Sequence, residues 1–243
     1  RSSVARLYQK WIYLPEHDVF AGIAEHKTGV WIYKHTENIE PVQYAKLNPQ
    51  RLINQAQPGS TVTIPAGIYS RGLFIDKSLT VKLKGVDLRG VAKRKGIINV
   101  HCNNCEVVLE DFHGDGRRSG CITGNCAGIK AEGKNFKLTL RRAHITHTVL
   151  GLMSDNRGGT LIIEDSLLEN SGRNDRSGDY AHNVYAGIID KVILRNSVVR
   201  QSYGDGHVFK SRARDTLIEN SVIAGGSGLQ SRTLDYPCGG TLT

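Results

Sequence analysis

A repeated segment near the C-terminal end constrains the fold of this chain more than any other feature. The segments HNVY, at 182–185, and GHVF, at 206–209, are each followed by an apolar run that ends in an Asn-Ser pair. The two serines of these pairs, Ser197 and Ser221, are 24 positions apart. Self-similarity at a period of roughly 20 to 50 residues is typical of solenoids, in which each repeat forms one coil. This stretch therefore predicts stacked coils.

The same apolar-polar pattern occurs six times along the chain, in Leu83–Val86, Leu109–Phe112, Leu140–Ala143, Ile163–Ser166, Leu194–Ser197 and Ile218–Ser221. The last residues of these segments step by 26, 31, 23, 31 and 24 positions. One coil thus takes about two dozen residues, and two coils carry an insertion. A single coil cannot bury its own apolar face, whereas stacked coils share one continuous core. Asn196 and Asn220 stand at equivalent places, where we expect Asn to accept a left-handed backbone at a corner of the coil.

The composition agrees with many short strands separated by tight turns, because the chain has 27 Gly, one Met and few aromatic residues. Lys and Arg outnumber Asp and Glu by 32 to 23, which gives a net charge of +9 with His neutral. This balance favours an anionic partner. The sequence contains no apolar run of the roughly 20 residues that a membrane-spanning helix needs, so we expect no transmembrane segment.

The five cysteines leave two main interpretations open, zinc ligands and disulfides, with buried free thiols as a third. Cys102 and Cys105 form a C-x2-C pair, and Cys121 and Cys126 form a C-x4-C pair. Four thiolates in two close pairs could hold zinc. We favour disulfides between neighbouring turns in an exported protein, with Cys238 left over, because the second pair departs from zinc-knuckle spacing. The expected location is therefore secreted or periplasmic.

The sequence divides into an N-terminal extension, residues 1–48, and a solenoid, residues 49–243. The extension contains both tryptophans, in two runs that predict short strands, Trp11–Pro15 and Gly29–Tyr33, and we expect it to pack on the solenoid. Residues Leu52–Ala56 can form a short helical turn before the first strand. The chain ends just after a turn, where a β-helix continues or is capped, so we expect a C-terminal truncation. The sequence does not define the oligomeric state.

The opening of the solenoid, QAQPGSTVTIPAGIYS at 55–70 followed by KSLTVKLKG at 77–85, resembles the first coils of right-handed parallel β-helix proteins of the pectate-lyase-like superfamily. The resemblance implies an all-β right-handed parallel β-helix whose end is covered by a short helical cap. Members of this superfamily that act on polysaccharides bind the polymer in a groove along parallel strands.

Further segments are similar to a group of bacterial right-handed β-helix repeat proteins. They are NCAGIKAEGKNFKLTLRR at 125–142, HNVYAG at 182–187, GHVFKSRAR at 206–214 and LDYPCGG at 234–240. The similarity covers about residues 52–240 and implies no particular reaction. Cys126 stands where the group has Gly, and Cys238 where it usually has another residue, so the cysteine positions are a departure of this chain.

The repeated segment also concentrates reactive side chains. Aligning HNVY with GHVF places Asn183 beside His207 and Tyr185 beside Phe209 on adjacent strands, about 4.8 Å apart. Strand alternation then turns Val184 and Val208 into the core and leaves Asn183, Tyr185 and His207 facing solvent. The polar stretch between Asn170 and Ala181 is longer than a turn requires and predicts a projecting loop beside this surface.

These residue types suit the β-elimination of a uronate, which needs a cation for the sugar carboxylate, a base for the C5 proton and an acid for the leaving oxygen. We predict His207, Lys210, His182 and Tyr185 as catalytic residues. Lys210, His207 or His182 could be the base, and Tyr185 the acid. The predicted substrate-binding residues are Asn183, Arg212, Arg214, Arg173 and Arg232.

Structural interpretations compete with these roles. Arg214 is better explained as a turn residue paired with Asp190, Asp215 or Glu219, and His182 could cap a backbone group in a turn. Asp175, Asp179 and Asp205 could serve a hydrolase as paired acids or hold Ca²⁺, or they could be loop residues. We predict no resident metal or other cofactor, with Ca²⁺ as the one open alternative.

The sequence thus favours a lyase that acts on an acidic polysaccharide. The alternatives are a glycoside hydrolase or epimerase on the same scaffold, and a noncatalytic carbohydrate-binding or adhesion solenoid. Nucleic acid is not an expected partner, because the aromatic platforms that support such binding are missing from the motifs.

Overall fold

The computed structural model describes residues 11–14, 19–23, 30–34, 45–122, 124–155, 157–172, 181–226 and 230–243. Among them, only the backbone is described for the three segments before residue 45. The chain divides into two compact units, Arg1–Gln43 and Tyr44–Thr243.

The first unit contains a three-stranded antiparallel sheet, formed by β1 (Trp11–Leu14), β2 (Val19–Ile23) and β3 (Val30–Lys34) in that order. The predicted strands around Trp11 and Trp31 are confirmed. Strand β2, which pairs with both, was not predicted. That this segment packs on the solenoid stays a prediction.

The second unit begins with helix α1 (Pro49–Gln55), which confirms the predicted helical cap. Asn48 caps the helix, because its side chain accepts a hydrogen bond from the Gln50 N–H, and Pro49 suits the first turn, where no backbone donor is needed. Ile53 is fully buried against the core. The amide of Gln50 bonds both the N–H and the C=O of Phe74, so it occupies the edge of the next strand as a further strand would.

Each coil then contributes one strand to each of three parallel sheets. Sheet I consists of β4 (Thr61–Thr63), β7 (Leu79–Lys82), β10 (Glu106–Glu110), β13 (Lys134–Arg141), β16 (Arg157–Glu164), β19 (Lys191–Arg195), β22 (Asp215–Glu219) and β25 (Thr241–Leu242). Sheet II consists of β5 (Gly67–Tyr69), β8 (Val86–Leu88), β11 (His113–Asp115), β14 (His144–Thr146), β17 (Leu167–Ser171), β20 (Val198–Ser202) and β23 (Val222–Ala224).

Sheet III completes each coil with β6 (Leu73–Ile75), β9 (Gly96–His101), β12 (Ala127–Glu132), β15 (Leu150–Ser154), β18 (Val184–Ala186), β21 (His207–Ser211) and β24 (Arg232–Asp235). A short helix, α2 (Gly116–Ser119), follows β11. Strands that are neighbours in a sheet are one coil apart in sequence, so the second unit is a right-handed parallel β-helix, as predicted. No helix in the described part of the chain is long and apolar enough to cross a membrane.

The core is a set of apolar stacks that run from coil to coil. In sheet I, the inward residues in register are fully buried in five consecutive strands, at Val81, Leu109, Leu140, Ile163 and Leu194. Alternation along each strand turns every second side chain inward. Truncating one member of such a stack, for example Leu140→Ala, removes packing worth about 2–5 kcal/mol.

The sequence alignment of the six segments is correct in sheet I from Leu109 onward, where Leu109, Leu140, Ile163, Leu194 and Ile218 are partners. It is wrong for the first coil, because Leu109 pairs with Val81 and not with Leu83. Four residues separate Lys82 from Asp87, whereas two separate their partners Glu110 and His113, so the first of these connections is two residues longer and accommodates the difference.

The corner after sheet I explains the recurring Asn-Ser pairs. Asn196 and Asn220 have left-handed backbones, with φ of 48° and 45°, which confirms the prediction for these two residues. The serine that follows stacks on its equivalent in the next coil. Ser166 N–H donates to Ser197 Oγ, and Ser197 N–H donates to Ser221 Oγ, each at a distance of 3.1 Å. This serine ladder satisfies backbone donors that a turn would otherwise leave buried.

The outer face of sheet I has a ladder of alternating charge. The residues in register are Lys82, Glu110, Arg141, Glu164, Arg195 and Glu219. Arg141 contacts Glu110 at 3.0 Å and Glu164 at 3.2 Å, and Arg195 contacts Glu164 at 3.3 Å and Glu219 at 2.8 Å. Each of these two arginines lies between two carboxylates, so this row is internally neutralised.

The cysteines form two disulfides, which confirms the preferred interpretation over a zinc site. Each bond closes within one close pair, Cys102–Cys105 and Cys121–Cys126, rather than between neighbouring turns. Cys238 is exposed and is not in a disulfide.

Candidate functional site

Most of the predicted reactive residues meet on the last three strands of sheet III, β18, β21 and β24, and on the residues beside them. Two rows cross these strands at a spacing of 25 residues: Tyr185, Lys210 and Asp235 are direct partners, and His207 pairs with Arg232. His182 lies one coil before His207 and contacts it directly. We call the seven residues His182, Tyr185, His207, Lys210, Arg212, Arg232 and Asp235 the histidine–aspartate cluster.

This register differs by one residue from the sequence prediction. Tyr185 pairs with Lys210 and not with Phe209, which pairs with Val184 and is fully buried. The prediction used the 24-residue period of sheet I. The turn after β18 has four residues, 187–190, whereas the turn after β21 has three, 212–214, so that sheet III repeats after 25 residues and sheet I after 24.

Asn183 does not face solvent, and that prediction is wrong. Its side chain is fully buried inside the coil, where Oδ1 accepts from the Ser171 N–H at 2.9 Å and Nδ2 donates to the Arg200 carbonyl at 2.7 Å. Asn183 therefore joins sheet III to β17 and β20 of sheet II. A buried amide with both ends bonded to backbone is a structural element. The predicted inward positions of Val184 and Val208 are confirmed.

His182 is a buried neutral imidazole. Its Nδ1 accepts a hydrogen bond from the His207 N–H at 2.8 Å, which places its own proton on Nε2. Burial is the main cause that lowers the pKa of His182 to about 4, and His207 and Lys210 act in the same direction. The interpretation that His182 caps a backbone group is confirmed, and Nδ1 is not free to act as a base. The ring also stacks on Tyr185, with centroids 5.4 Å apart.

His207 lies between His182 and Asp235 and is buried, so the prediction that it faces solvent is wrong. Its Nδ1 is 3.0 Å from Asp235 Oδ2, although the two groups are not aligned for a hydrogen bond. Burial lowers the pKa of His207 more than the Asp235 carboxylate raises it, so the imidazole is neutral near pH 7. A carboxylate beside Nδ1 favours the tautomer with the proton on that nitrogen, which leaves Nε2 able to accept one.

Asp235 connects the cations of the cluster. Besides His207, its carboxylate contacts Arg232 at 2.7 Å and Lys210 at 3.6 Å. Burial alone would raise the pKa of Asp235, but the hydrogen bond from Arg232, the positive charges of Lys210 and Arg232, and that of His207 whenever its ring is protonated outweigh it, and the pKa lies below its usual value. Asp235 is therefore ionised and ion-paired at neutral pH.

Tyr185 is the platform of the cluster. Lys210 Nζ and the Arg212 guanidinium both lie 5.6 Å from the centre of its ring. Within the part of the chain that the structure describes, Arg212 has no ion-pair partner, and its buried Nε has no hydrogen bond. The three cations Lys210, Arg212 and Arg232 exceed the single carboxylate, so the cluster has positive charge to offer an anion.

The remaining predicted residues fall outside the cluster. Arg214 is exposed and contacts Asp215 at 3.3 Å and Asp190 at 3.5 Å, which confirms the turn interpretation. Arg173, Asp175, Asp179 and the tip of the predicted projecting loop lie outside the described residues. In the described ranges, no three His, Cys, Asp or Glu side chains group closely enough to hold a metal ion. The Ca²⁺ alternative stays a prediction.

Asp235 is the residue of the cluster that sequence reasoning missed. The sequence does contain an indication of its role, because Tyr185, Lys210 and Asp235 are spaced 25 residues apart. The 24-residue period does not show this spacing, because it aligns each of these residues with a position one residue away from its true partner in sheet III.

No protein-family model, no curated protein and no solved structure matches this chain. The fold therefore rests on the structure itself, and the resemblance to the pectate-lyase-like superfamily stays a prediction.

Proposed function

We propose that this chain cleaves an acidic, uronate-containing polysaccharide by β-elimination at the histidine–aspartate cluster. The observation that carries the proposal is the combination of a neutral histidine beside an ionised aspartate with an arginine that has no carboxylate partner among the described residues. A base and an anion-binding cation on one face are the two groups that this reaction needs first.

Arg212 binds the sugar carboxylate in this proposal. A guanidinium matches a carboxylate with two parallel hydrogen bonds, and its charge stabilises the negative charge that develops when the neighbouring C–H loses its proton. Its position over Tyr185 fixes the guanidinium plane. Lys210 adds a second positive charge on the same ring, although Asp235 already partly neutralises it.

His207 removes the C5 proton. Its lowered pKa keeps Nε2 unprotonated at neutral pH, and Asp235 stabilises the imidazolium that forms. Lys210 is less suited to be the base, because its side-chain nitrogen already forms an ion pair with the Asp235 carboxylate at 3.6 Å. Tyr185 donates a proton to the leaving oxygen as the C4–O bond breaks and the C4–C5 double bond forms.

The two disulfides support an exported location, since disulfides persist in oxidising compartments. An acidic polysaccharide outside the cytoplasm is consistent with the net charge of +9.

A noncatalytic carbohydrate-binding role is the second candidate, and one observation favours it. Lys210 and Arg232 both contact Asp235, so that part of the cluster is an internal salt-bridge network of the kind that also occurs without catalysis. Hydrolysis needs a pair of carboxylates. Of the candidates for such a pair, Asp175 and Asp179 lie outside the described residues and Asp205 is exposed. Epimerisation would use the same base as elimination.

The test is to incubate the protein with polygalacturonate, alginate and hyaluronate and to record both ultraviolet absorbance and reducing ends. Elimination produces a double bond conjugated to the carboxylate, so absorbance and reducing ends rise together. We expect His207→Ala to lower kcat by about 10²- to 10⁴-fold. Reducing ends without absorbance would replace elimination by hydrolysis, and binding without turnover in wild type would support the binding role.

His101→Ala is the matched control. His101 lies on β9 of the same sheet, near Glu132, and its side chain is about half exposed. Strand β9 is four strands from β21, or about 19 Å. Removal of the His101 side chain should leave turnover unchanged, whereas an equal loss in both variants would contradict the assignment of His207.

A further inference from the structure

An open cavity lies at the other end of sheet III, beside the helical cap. Its volume is about 500 Å³, within the range of small-ligand sites, and its lining includes Gln50, Arg71, Gly72, Phe74, Ala92 and Lys93. The lining contains two cations and no carboxylate. In the described chain, neither Arg71 nor Lys93 forms an ion pair, and nor does the adjacent Arg94. The charge of the cavity therefore favours an anion.

A tight turn holds Lys93 and the adjacent Arg94. Residues Ala92–Lys95 form a β-turn in which the Lys95 N–H donates to the Ala92 carbonyl at 2.9 Å, and both central residues, Lys93 and Arg94, have left-handed backbones. Such a turn normally contains Asn or Gly at these places, because a side chain opposes a positive φ. Two basic residues at strained positions indicate that the turn presents charge.

Two glycines fix this turn against the preceding coil. A side chain at Gly72 would collide with the backbone of Ala92 and Ile97, and one at Gly90 would collide with the backbone of Ser70. Only glycine permits such close approach of two backbones. Lys93 then lies over the Phe74 ring, with Nζ 4.8 Å from its centre. An aromatic face beside fixed cations suits a sugar ring that has a carboxylate.

The cavity and the histidine–aspartate cluster belong to the same row of sheet III. The direct partners along this row are Phe74, Asn99, Lys130, Met153, Tyr185 and Lys210. Five strand spacings separate the first residue from the last, or about 24 Å. In the middle of the row, Asn99 and Lys130 are buried and already contact Glu132 and Asp155. The charge available to a ligand is therefore at the two ends.

We propose that this cavity is a distal subsite that binds an acidic sugar of the same polysaccharide, about 24 Å from the reacting bond. The inference rests on the proposed function for the identity of the polymer. It predicts that affinity depends on chain length, because only a chain that spans both ends of the row uses the charges of Arg71 and Lys93.

The experiment compares the wild type with the double variant Arg71→Gln/Lys93→Gln on oligouronates of defined length. Oligomers longer than about 24 Å should bind roughly threefold to tenfold more weakly to the variant, and shorter ones should bind equally well. The kcat on long oligomers should not change, and the difference should shrink with added salt. Arg51→Gln is the matched control, because Arg51 is exposed on α1 and is not part of the cavity lining.

Binding is measured by fluorescence anisotropy with end-labelled oligomers, independently of turnover. If neither the wild type nor the double variant cleaves any oligomer, but the double variant binds only the long oligomers more weakly, the proposed reaction fails and the distal subsite stands. Equal binding of wild type and double variant to the long oligomers overturns the subsite, whether or not cleavage occurs. A loss shared by short and long oligomers also overturns it.

Discussion

Sheets I and III are built from the same coils, but they use surface charge in opposite ways. On sheet I, Arg141 and Arg195 each lie between two glutamates, and the row repeats with alternating sign. On sheet III, Arg212 has no carboxylate partner within the described residues and lies on an aromatic ring beside two histidines. The repeating row stabilises the stack, whereas the interrupted row has charge left for a ligand. In a solenoid, a departure from the repeat is therefore the better indicator of a site.

The largest effect is expected from a methyl group at the corner under the cluster. A side chain at Gly206 would occupy the position of the Ala181 carbonyl, so Gly206→Ala must push two coils apart just where His182 and His207 meet. We expect a loss of roughly 3 kcal/mol in the free energy of unfolding. The measurement is urea denaturation. Gly59→Ala, in open space but at a φ of 83°, should cost only about 1 kcal/mol, and equal costs would contradict the close contact.

The second effect concerns pH. The pKa of His182 is about 4 in the folded chain and 6.5 ordinarily, so between these values the unfolded chain binds a proton that the folded chain does not. The stability that the neutral ring contributes is complete above pH 6.5 and is lost as the pH falls. By linkage the loss reaches about 2.5 kcal/mol near pH 4.5. His182→Gln should lack this part of the pH dependence, and an unchanged profile would show that His182 titrates normally.

A matched pair of arginines tests the comparison of the two sheets directly. Arg212→Ala should lower kcat/KM by roughly thirtyfold, because it removes the proposed partner of the substrate carboxylate. Arg141→Ala on sheet I should leave kcat/KM unchanged. Steady-state kinetics on the cleaved polymer decide the matter, and equal losses for the two variants would remove the distinction between the sheets.

The smallest effect is expected for Arg141→Ala on sheet I, measured as a change in the free energy of unfolding. Arg141 is more than one third exposed, and its two salt bridges are screened by solvent. Arg141→Ala should therefore cost at most about 1 kcal/mol in denaturation experiments, and less in high salt. A larger, salt-independent loss would mean that the ladder acts through packing.

Most of the fold could be predicted from the sequence, because each coil has the same residue types at its corner and along its strands. Asn196 and Asn220 mark a left-handed corner, and the apolar residues before them mark the inward face of a strand. Register across sheet III could not be predicted in the same way, because it depends on whether a turn has three residues or four. That single residue decided whether Tyr185 lies beside Phe209 or beside Lys210.

The residue types of the candidate site could be predicted from the sequence, but the hydrogen bonds and ion pairs between them could not. His182, His207, Lys210 and Arg212 were identified because they interrupt the apolar pattern. The burial of Asn183 could not be seen, since Asn is a usual surface residue and its partners, Ser171 and Arg200, lie in other coils. The cavity at Arg71 and Lys93 joins three segments with no common motif.

The corner between sheets II and III has the most variable connection in the solenoid. Three residues connect β14 to β15, twelve connect β17 to β18, and four connect β20 to β21, yet the serine and charge ladders pass through all these coils in register. Length at this corner is thus independent of the stack. Segments could be exchanged there by insertion or deletion, and the protein could acquire a new ligand preference without any change to its core.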